Sequence, residues 1–222
     1  MAGIYLHIPF CKQACHYCNF HFATSLRQKE QLVKALEKEI ILQTGYLQKE
    51  PVETIYFGGG TPSLLSIQEL ESILKTLRIA HWVDTSAEIT LEVNPDDVSL
   101  DQLKAWKDLG INRLSIGIQS FNDIDLQWMN RAHTAKQALE ALENCLRYFE
   151  NCTLDLIYGL PHMSTTDWKN NVTQALQLGV PHLSCYALTV EPKTPLEKQI
   201  RQAQKINTDP DKQAEQFVLL ME

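Results

Sequence analysis

Residues 88–119, EITLEVNPDDVSLDQLKAWKDLGINRLSIGIQ, contain two strand patterns separated by a helical pattern. Apolar and polar residues alternate through 88–94 and again through 113–119, which is the period of a strand with two unlike faces. Gly110 follows the helical stretch, where a left-handed residue is expected to end the helix. A helix that connects two strands in this way favours a parallel pair. The stretch therefore predicts one strand–helix–strand unit.

The same alternation of strands and helices recurs along the chain. LGINRLSIGI and LGVPHLSCYA share the pattern L-G-(I/V)-x-x-L-S, so Gly179 is expected to end a helix as Gly110 does. The first helical pattern runs from Leu26 to about Thr44. Six units of this kind predict an α/β fold, a partial (β/α)6 barrel of the TIM type, with a flat doubly wound sheet as the alternative. The candidate strands are 3–9, 54–59, 88–94, 113–119, 152–160 and 182–190.

Two helices carry sequence signals for their first turn. Ser66 is followed by Glu69, and Thr194-Pro195 is followed by Glu197. Both patterns predict a capping box, in which a hydroxyl and a carboxylate satisfy the free amides at the start of a helix.

One face of the candidate strands carries polar or small residues. Glu92, Gln119 and Asp155 lie on this face, while apolar residues occupy the other. A packed TIM barrel fills its interior with Val, Ile and Leu, so this pattern predicts an interior that admits a ligand. A sheet with one solvated face is the alternative.

The last residues, DKQAEQFVLLME (211–222), form an amphipathic helical pattern without a C-cap. Ala214, Phe217, Val218 and Met221 share one face of it. We expect residues 1–205 to form a core domain and 206–222 to begin a C-terminal domain that is missing from this chain.

Composition limits the classes of partner and compartment. The 222 residues carry a net charge of −7, which argues against nucleic acid or an anionic membrane surface as the main partner. No apolar run approaches the roughly 18 residues of a membrane span, and MAGIYLHIPFC does not resemble a secretory signal. We therefore expect a cytoplasmic protein with reduced thiols, in which six cysteines are metal ligands or buried thiols.

Three of those cysteines lie in CKQACHYCNF, residues 11–20, with the spacing C-x-x-x-C-x-x-C. Structural zinc takes four ligands, and His16 or His21 could supply the fourth. A 4Fe–4S cluster held by three cysteines instead leaves one iron open to an outside ligand. The spacing favours the cluster, with zinc and plain buried cysteines as alternatives.

A glycine run, FGGGTPS at residues 57–63, follows the second candidate strand. Consecutive glycines let the backbone approach a ligand and present its amides, although a tight turn would explain them equally well. Because the cysteine segment follows the neighbouring strand, both are expected at the carboxyl edge of the sheet, where α/β barrels place their active sites.

These motifs together resemble the radical S-adenosylmethionine enzymes. At finer detail they are similar to oxygen-independent coproporphyrinogen III oxidases and the related HemW-type haem chaperones, in the expected order over residues 1–195. The motifs are YLHIPFCKQACHYCNF, FGGGTPS, LEVNP, GIQSF, NRAH and LDLIYGLP.

The resemblance implies a partial (β/α)6 barrel that binds a 4Fe–4S cluster and S-adenosylmethionine, whose one-electron reduction yields a 5′-deoxyadenosyl radical. Cys11, Cys15 and Cys18 would ligate the cluster. Other residues would contact S-adenosylmethionine, namely Tyr5, Tyr17, Gly59, Gly60, Thr61, Glu92, Gln119, Arg131 and Asp155. For Arg131, a surface position near a helix start is the alternative.

Phe20 separates the two branches of this family. The oxidases carry a further cysteine at this place, whereas the HemW-type branch does not. The resemblance thus implies a haem chaperone that binds haem, delivers it to haem proteins and needs an electron donor for its cluster. Oxidation of coproporphyrinogen III is the alternative.

Cys145, Cys152 and Cys185 are expected to be buried thiols, and His162 a loop residue.

Overall fold

The computed structural model describes residues 2–222. The strands are β1 (Ala2–Ile8), β2 (Val52–Gly59), β3 (Val83–Val93), β4 (Arg113–Gln119), β5 (Asn151–Tyr158) and β6 (His182–Ala187). The α-helices are α1 (Lys29–Leu42), α2 (Ile67–Ala80), α3 (Leu100–Asp108), α4 (Asp123–Met129), α5 (Ala135–Tyr148), α6 (Thr165–Gln177), α7 (Pro195–Arg201) and α8 (Pro210–Met221). Short 3₁₀ helices cover Leu26–Gln28, Pro62–Leu64 and Pro95–Asp97.

All six strands form one parallel sheet in the order β1-β2-β3-β4-β5-β6. Each strand therefore lies beside the next strand in the sequence, as in a barrel. A doubly wound sheet would reverse its strand order at a switch point, and that alternative is wrong. Within residues 2–222, β1 and β6 each pair on one side only, so the barrel is open between them. The prediction of a partial (β/α)6 barrel is confirmed.

The core lies between the outer face of the sheet and the helices. Ile55, Leu91, Leu114 and Leu154 are at most 1% exposed and alternate with the polar residues of the inner face. Trp106 of α3 and Trp168 of α6 are the largest fully buried side chains. This division of faces leaves polar residues such as Glu92 and Asp155 on the inner face of the sheet.

The helix ends follow local sequence signals in most places. The Glu69 amide donates to Ser66 Oγ (3.2 Å) and the Ser66 amide donates to Glu69 Oε2 (2.7 Å), so this capping box is confirmed. At α7 only half of the predicted box forms, because the Glu197 carboxylate accepts from the Lys193 amide instead of the Thr194 amide.

Two glycines end helices in the left-handed conformation, as predicted. Gly110 has φ 91° and Gly179 has φ 75°. Each allows the chain to turn directly from a helix into the next strand.

The C-terminal helix α8 packs on α6 through a polar residue. Gln216 is fully buried, its carbonyl accepts from Trp168 Nε1 (3.0 Å) and its Oε1 accepts from the Gly159 amide (2.8 Å). Phe217 and Met221, from the apolar face noted in the sequence, are exposed. No helix within residues 2–222 has the length and apolar character that crossing a membrane requires.

Candidate functional site

A cavity of about 520 Å³ lies at the carboxyl ends of the strands. Eleven of the twelve site residues that the sequence nominates line it, so widely separated motifs converge here. They are Cys11, Cys15, Cys18, Tyr17, Gly59, Gly60, Thr61, Glu92, Gln119, Arg131 and Asp155.

Tyr5 is the nominated residue that does not line this cavity. Its ring stacks on Tyr56, with 5.9 Å between ring centroids, and its hydroxyl lies 3.2 Å from His7 Nδ1. Tyr5 and His7 are also among the residues that line a second groove beside β1. A direct role for Tyr5 at the main cavity stays a prediction.

The cysteine loop, residues 11–18, leaves the end of β1 and forms one wall of the cavity. Cys11, Cys15 and Cys18 are half-buried free thiols. Burial raises the pKa of Cys11 and Cys18, and the neighbouring cysteines raise it further. Arg131 Nη1 donates to Cys15 Sγ at 3.5 Å. The three thiols therefore share one cavity beside a cation.

Cys11, Cys15 and Cys18 all line the main cavity. Among residues 2–222, no three His, Cys, Asp or Glu side chains are grouped closely enough to hold a single metal ion. A 4Fe–4S cluster needs thiolates around a larger volume, because each iron takes its own thiolate. Three thiols on one cavity are the donor set that a 4Fe–4S cluster with one open iron takes.

The cysteine loop is held mainly by residues far away in the sequence. Asn130 Nδ2 donates to the Ala14 carbonyl (2.8 Å), and Gln13 Nε2 donates to the Asn130 carbonyl (3.0 Å). Asn130 has φ 60°, a left-handed conformation that asparagine tolerates better than most residues. The sequence pattern gives no sign of this role of Asn130, although Asn130 opens the NRAH motif and caps the end of α4.

The glycine run follows from close contacts within the protein. A Cβ on Gly60 would lie 2.6 Å from the Phe10 carbonyl oxygen, and one on Gly59 would lie 2.6 Å from the His7 ring. Gly59 also has φ 116°, which side chains disfavour. The Gly60 amide donates to the Ile8 carbonyl (2.9 Å). The run therefore lets the end of β2 pack against the start of the cysteine loop.

Glu92 is buried on the inner face of β3 with defined partners. It accepts from the Tyr56 hydroxyl (2.8 Å) and from the Gly59 amide (3.1 Å). Burial raises the pKa of Glu92 although both hydrogen bonds act to lower it. The two donors fix its carboxylate against the cavity wall.

Asp155 of β5 is a second buried carboxyl near Glu92. Burial and, after it, the charge of Glu92 raise the pKa of Asp155 to about 7. Ser115 Oγ lies 3.5 Å from its Oδ2, and Ser115 and Ser184 both act to lower the pKa of Asp155. Asp155 is thus poised to change charge near neutral pH when a ligand changes its surroundings.

Arg131 connects the cysteine loop to the strand ends. Its Nη2 donates to Asn94 Oδ1 (2.7 Å) and to the Gly117 carbonyl (2.7 Å), while Asn94 Nδ2 donates to Thr61 Oγ1 (3.0 Å). Burial acts to lower the pKa of Arg131, but Tyr17, Cys15 and Asp96 together raise it by more. The surface position considered for this residue is wrong. Within residues 2–222 its buried Nε has no hydrogen-bond partner, which leaves a donor for an anionic or polar ligand.

Gln119 ends β4 in a strained conformation. It is 9% exposed, and its φ of 68° is unusual for a residue with a side chain. The register with β5 shifts between Ile116 and Gln119, so the strand bulges where Gln119 lines the cavity. Such strain at a cavity is typical of functional positions.

Other residues named from the sequence lie away from the cavity. Cys145 and Cys152 are fully buried, as expected, whereas Cys185 is partly exposed. His162 is in a loop, as expected, but its Nε2 also lies 2.8 Å from the buried carboxylate of Asp125. The sequence gives no sign of this pair because 37 residues separate the partners.

This chain is similar in sequence to a known protein family and to named proteins. The family model described as the Radical SAM superfamily matches residues 5–175. A protein named Heme chaperone HemW from Synechocystis is 41% identical over 87% of this chain and 48% of its own length. One of the same name from Bacillus subtilis is 35% identical over 100% of this chain and 59% of its own length. The chain thus spans about half the length of these relatives.

A solved structure gives a similar result. The coproporphyrinogen III oxidase HemN from Escherichia coli, described as a Radical SAM enzyme, superposes with a TM-score of 0.88 at 27% identity. The match covers 99% of this chain and 51% of the oxidase.

Proposed function

Because this chain belongs to the radical S-adenosylmethionine superfamily, we propose that its main cavity holds a 4Fe–4S cluster and S-adenosylmethionine. Cys11, Cys15 and Cys18 would each bind one iron, which leaves the fourth iron for the cofactor. When bound and reduced, this pair supplies a carbon-centred radical. The convergence of three free thiols and the Arg131 cation on one cavity supports the proposal.

The remaining cavity residues suit the polar groups of S-adenosylmethionine. Arg131 Nε is an unpaired donor, and the cofactor carries a carboxylate. Glu92 and Asp155 offer acceptors for an ammonium or ribose hydroxyls. Gly59, Gly60, Thr61, Gln119 and Tyr17 line the same cavity and would contact the rest of the cofactor.

We further propose that the whole protein acts as a haem chaperone, which binds haem and delivers it to haem proteins. The observation that carries this proposal is Phe20, which lines the cavity and is 66% exposed. It stands where the related oxidases have a further cysteine. The names of two relatives at 41% and 35% identity agree with this branch. An electron donor would reduce the cluster, and nucleic acid is not expected as a partner.

Haem titration of the anaerobically reconstituted chain tests the chaperone proposal. We expect a saturable Soret shift, followed by transfer of the haem to an apo haem protein, monitored by the spectrum of the acceptor after separation. An acceptor already loaded with haem is the control for non-specific exchange. An unrelated α/β protein in the same buffer gives the level of non-specific haem uptake. If the chain takes up no more haem than this control, the proposal fails for these residues.

Coproporphyrinogen III oxidation is the second candidate, and the HemN superposition favours it. Anaerobic incubation of the loaded protein with coproporphyrinogen III and S-adenosylmethionine separates the two. An oxidase yields protoporphyrinogen IX. Cleavage of the cofactor without a porphyrin product would eliminate the oxidase and leave the chaperone.

Iron, sulfide and zinc analysis after anaerobic purification tests the metal assignment first. We expect iron and sulfide in equal amounts, whereas one tightly bound zinc without iron would support the zinc alternative.

The cytoplasmic location stays a prediction, as does the division into a core of residues 1–205 and a C-terminal region from 206 onward.

A further inference from the structure

The segment that connects α7 and α8 contacts the cysteine loop, although the two lie far apart in the sequence. Lys205 Nζ donates to His16 Nδ1 at 2.9 Å, across 189 residues of sequence, and also to the Trp128 carbonyl. The Leu196 amide donates to the His16 carbonyl at 2.8 Å. His16 lies between two of the nominated cluster ligands, Cys15 and Cys18. The C-terminal part of the chain therefore contacts the loop at its centre.

All the contacts described for the Lys205 side chain are made by its ammonium group. His16 Nδ1 and the Trp128 carbonyl lie 3.3 Å apart, and both act as acceptors because an ammonium can only donate. The same ammonium lies 4.2 Å from the centre of the Trp128 ring, within cation–π range. The contacts described for Lys205 include no carboxylate. Its charge is therefore directed at the cysteine loop and at Trp128, rather than at a surface ion pair.

The backbone before Lys205 is shaped to make this contact. Ala203 has φ 56°, a left-handed conformation that is unfavourable for alanine. The amides of Gln204 and Lys205 both donate to the Gln199 carbonyl, at 2.8 and 3.3 Å, which closes the turn after α7. Strain of this kind persists only where surrounding contacts stabilise it. The contact of Lys205 with the loop is such a stabilising contact.

We propose that Lys205 is a positioning residue that fixes the cysteine loop through His16 and Trp128, so that the three thiols stay arranged for a metal cluster. The cluster itself rests on the proposed function, but the positioning of the loop does not. Lys205 touches neither the thiols nor the cavity in the contacts described, so it acts through His16.

Amide hydrogen exchange of the metal-free protein tests this positioning directly. In Lys205→Met, exchange in the peptide that covers residues 11–18 should be about five-fold faster than in wild type. This corresponds to about 1 kcal/mol, the typical net contribution of one hydrogen bond, at 1.4 kcal/mol per tenfold. Lys198→Met is the matched control, since it removes the same charge from an exposed position on α7. Lys205→Arg should restore slow exchange.

A second measurement follows the cluster in reconstituted protein. We expect iron release to a chelator to be about five-fold faster in Lys205→Met than in wild type or Lys198→Met, for the same one-bond reason. The midpoint of urea unfolding shows whether Lys205→Met is folded. If it is not, Lys205→Gln, which keeps an uncharged donor group, should give an intermediate exchange rate.

The outcomes separate this inference from the proposed function. Equal loop exchange in Lys205→Met, Lys198→Met and wild type would overturn the positioning role. Faster loop exchange in a protein that never takes up iron would support the positioning role and reject the cluster. A global loss of exchange protection in Lys205→Gln, without preference for residues 11–18, would also overturn it.

Discussion

Replacing Asp155 by Asn should make the metal-free protein more stable at high pH. Burial raises the pKa of Asp155 from its ordinary value of 3.8 to about 7. In the folded protein the carboxyl therefore keeps its proton over a range in which the unfolded chain has lost it. Stability is greatest while Asp155 is protonated, falls as pH rises between about 4 and 7, and falls no further above that. Asparagine has no proton to lose and removes this dependence.

The size of the effect follows from the two pKa values. They differ by about 3 pK units, and each unit corresponds to about 1.4 kcal/mol, so the full loss is about 4 kcal/mol. About 1.5 kcal/mol of it has already occurred at pH 5, because the unfolded chain is ionised there. Between pH 5 and 8.5 we therefore expect Asp155 to lower the free energy of unfolding by about 2–3 kcal/mol.

Urea unfolding at pH 5, 6.5 and 8.5 measures this difference. The free energy of unfolding of Asp155→Asn, relative to that of wild type, should rise steadily from pH 5 to pH 8.5. The exposed control Asp108→Asn should follow the wild-type pH profile. The charge of Glu92 also raises the pKa of Asp155, so Glu92→Gln should reduce the pH dependence without abolishing it. Parallel profiles for Asp155→Asn and wild type would show that Asp155 is ionised in the folded state and would refute the argument.

Three further substitutions test other parts of the structure. Cys15→Ala should abolish nearly all cluster iron after anaerobic reconstitution, because two thiolates are too few to retain it; iron analysis with Cys145→Ala as control checks this. Gly60→Ala should lower the free energy of unfolding by about 1–3 kcal/mol, since a Cβ would lie 2.6 Å from the Phe10 carbonyl oxygen; an unchanged urea midpoint would contradict this. Ser66→Ala should cost about 1 kcal/mol by removing the cap of α2, again by urea unfolding, and Ser66→Asp should retain most of it.

The strands were predictable because their signals are local. The apolar alternation gave the bounds of β4 at 113–119, as observed. The β3 strand begins at Val83, five residues earlier than predicted, since Asp84 and Ser86 do not look like strand residues. β5 and β6 were predicted too long. Gly159, with φ 80°, ends β5, and the Leu188 amide bonds back to the Tyr158 carbonyl.

The site residues could be nominated from sequence motifs, but the contacts that hold them in place could not be predicted. The inner-face pattern predicted Glu92, Gln119 and Asp155 on one surface, because strand residues alternate. It gave no sign that Gln119 is left-handed, since that conformation comes from the register shift beside β5. Nor did it indicate that Lys205 reaches His16, because a contact across 189 residues depends on the path of the whole chain.

The unbroken strand order has a consequence for biosynthesis. Each strand pairs with its immediate predecessor, so the sheet can grow one unit at a time as the chain leaves the ribosome. The cysteine loop emerges first, yet its partners at residues 129–131 and 196–205 are translated much later. Maturation of a metal centre there would therefore follow the synthesis of residues 129–205, and any machinery that delivers iron would meet a loop whose supports arrived last.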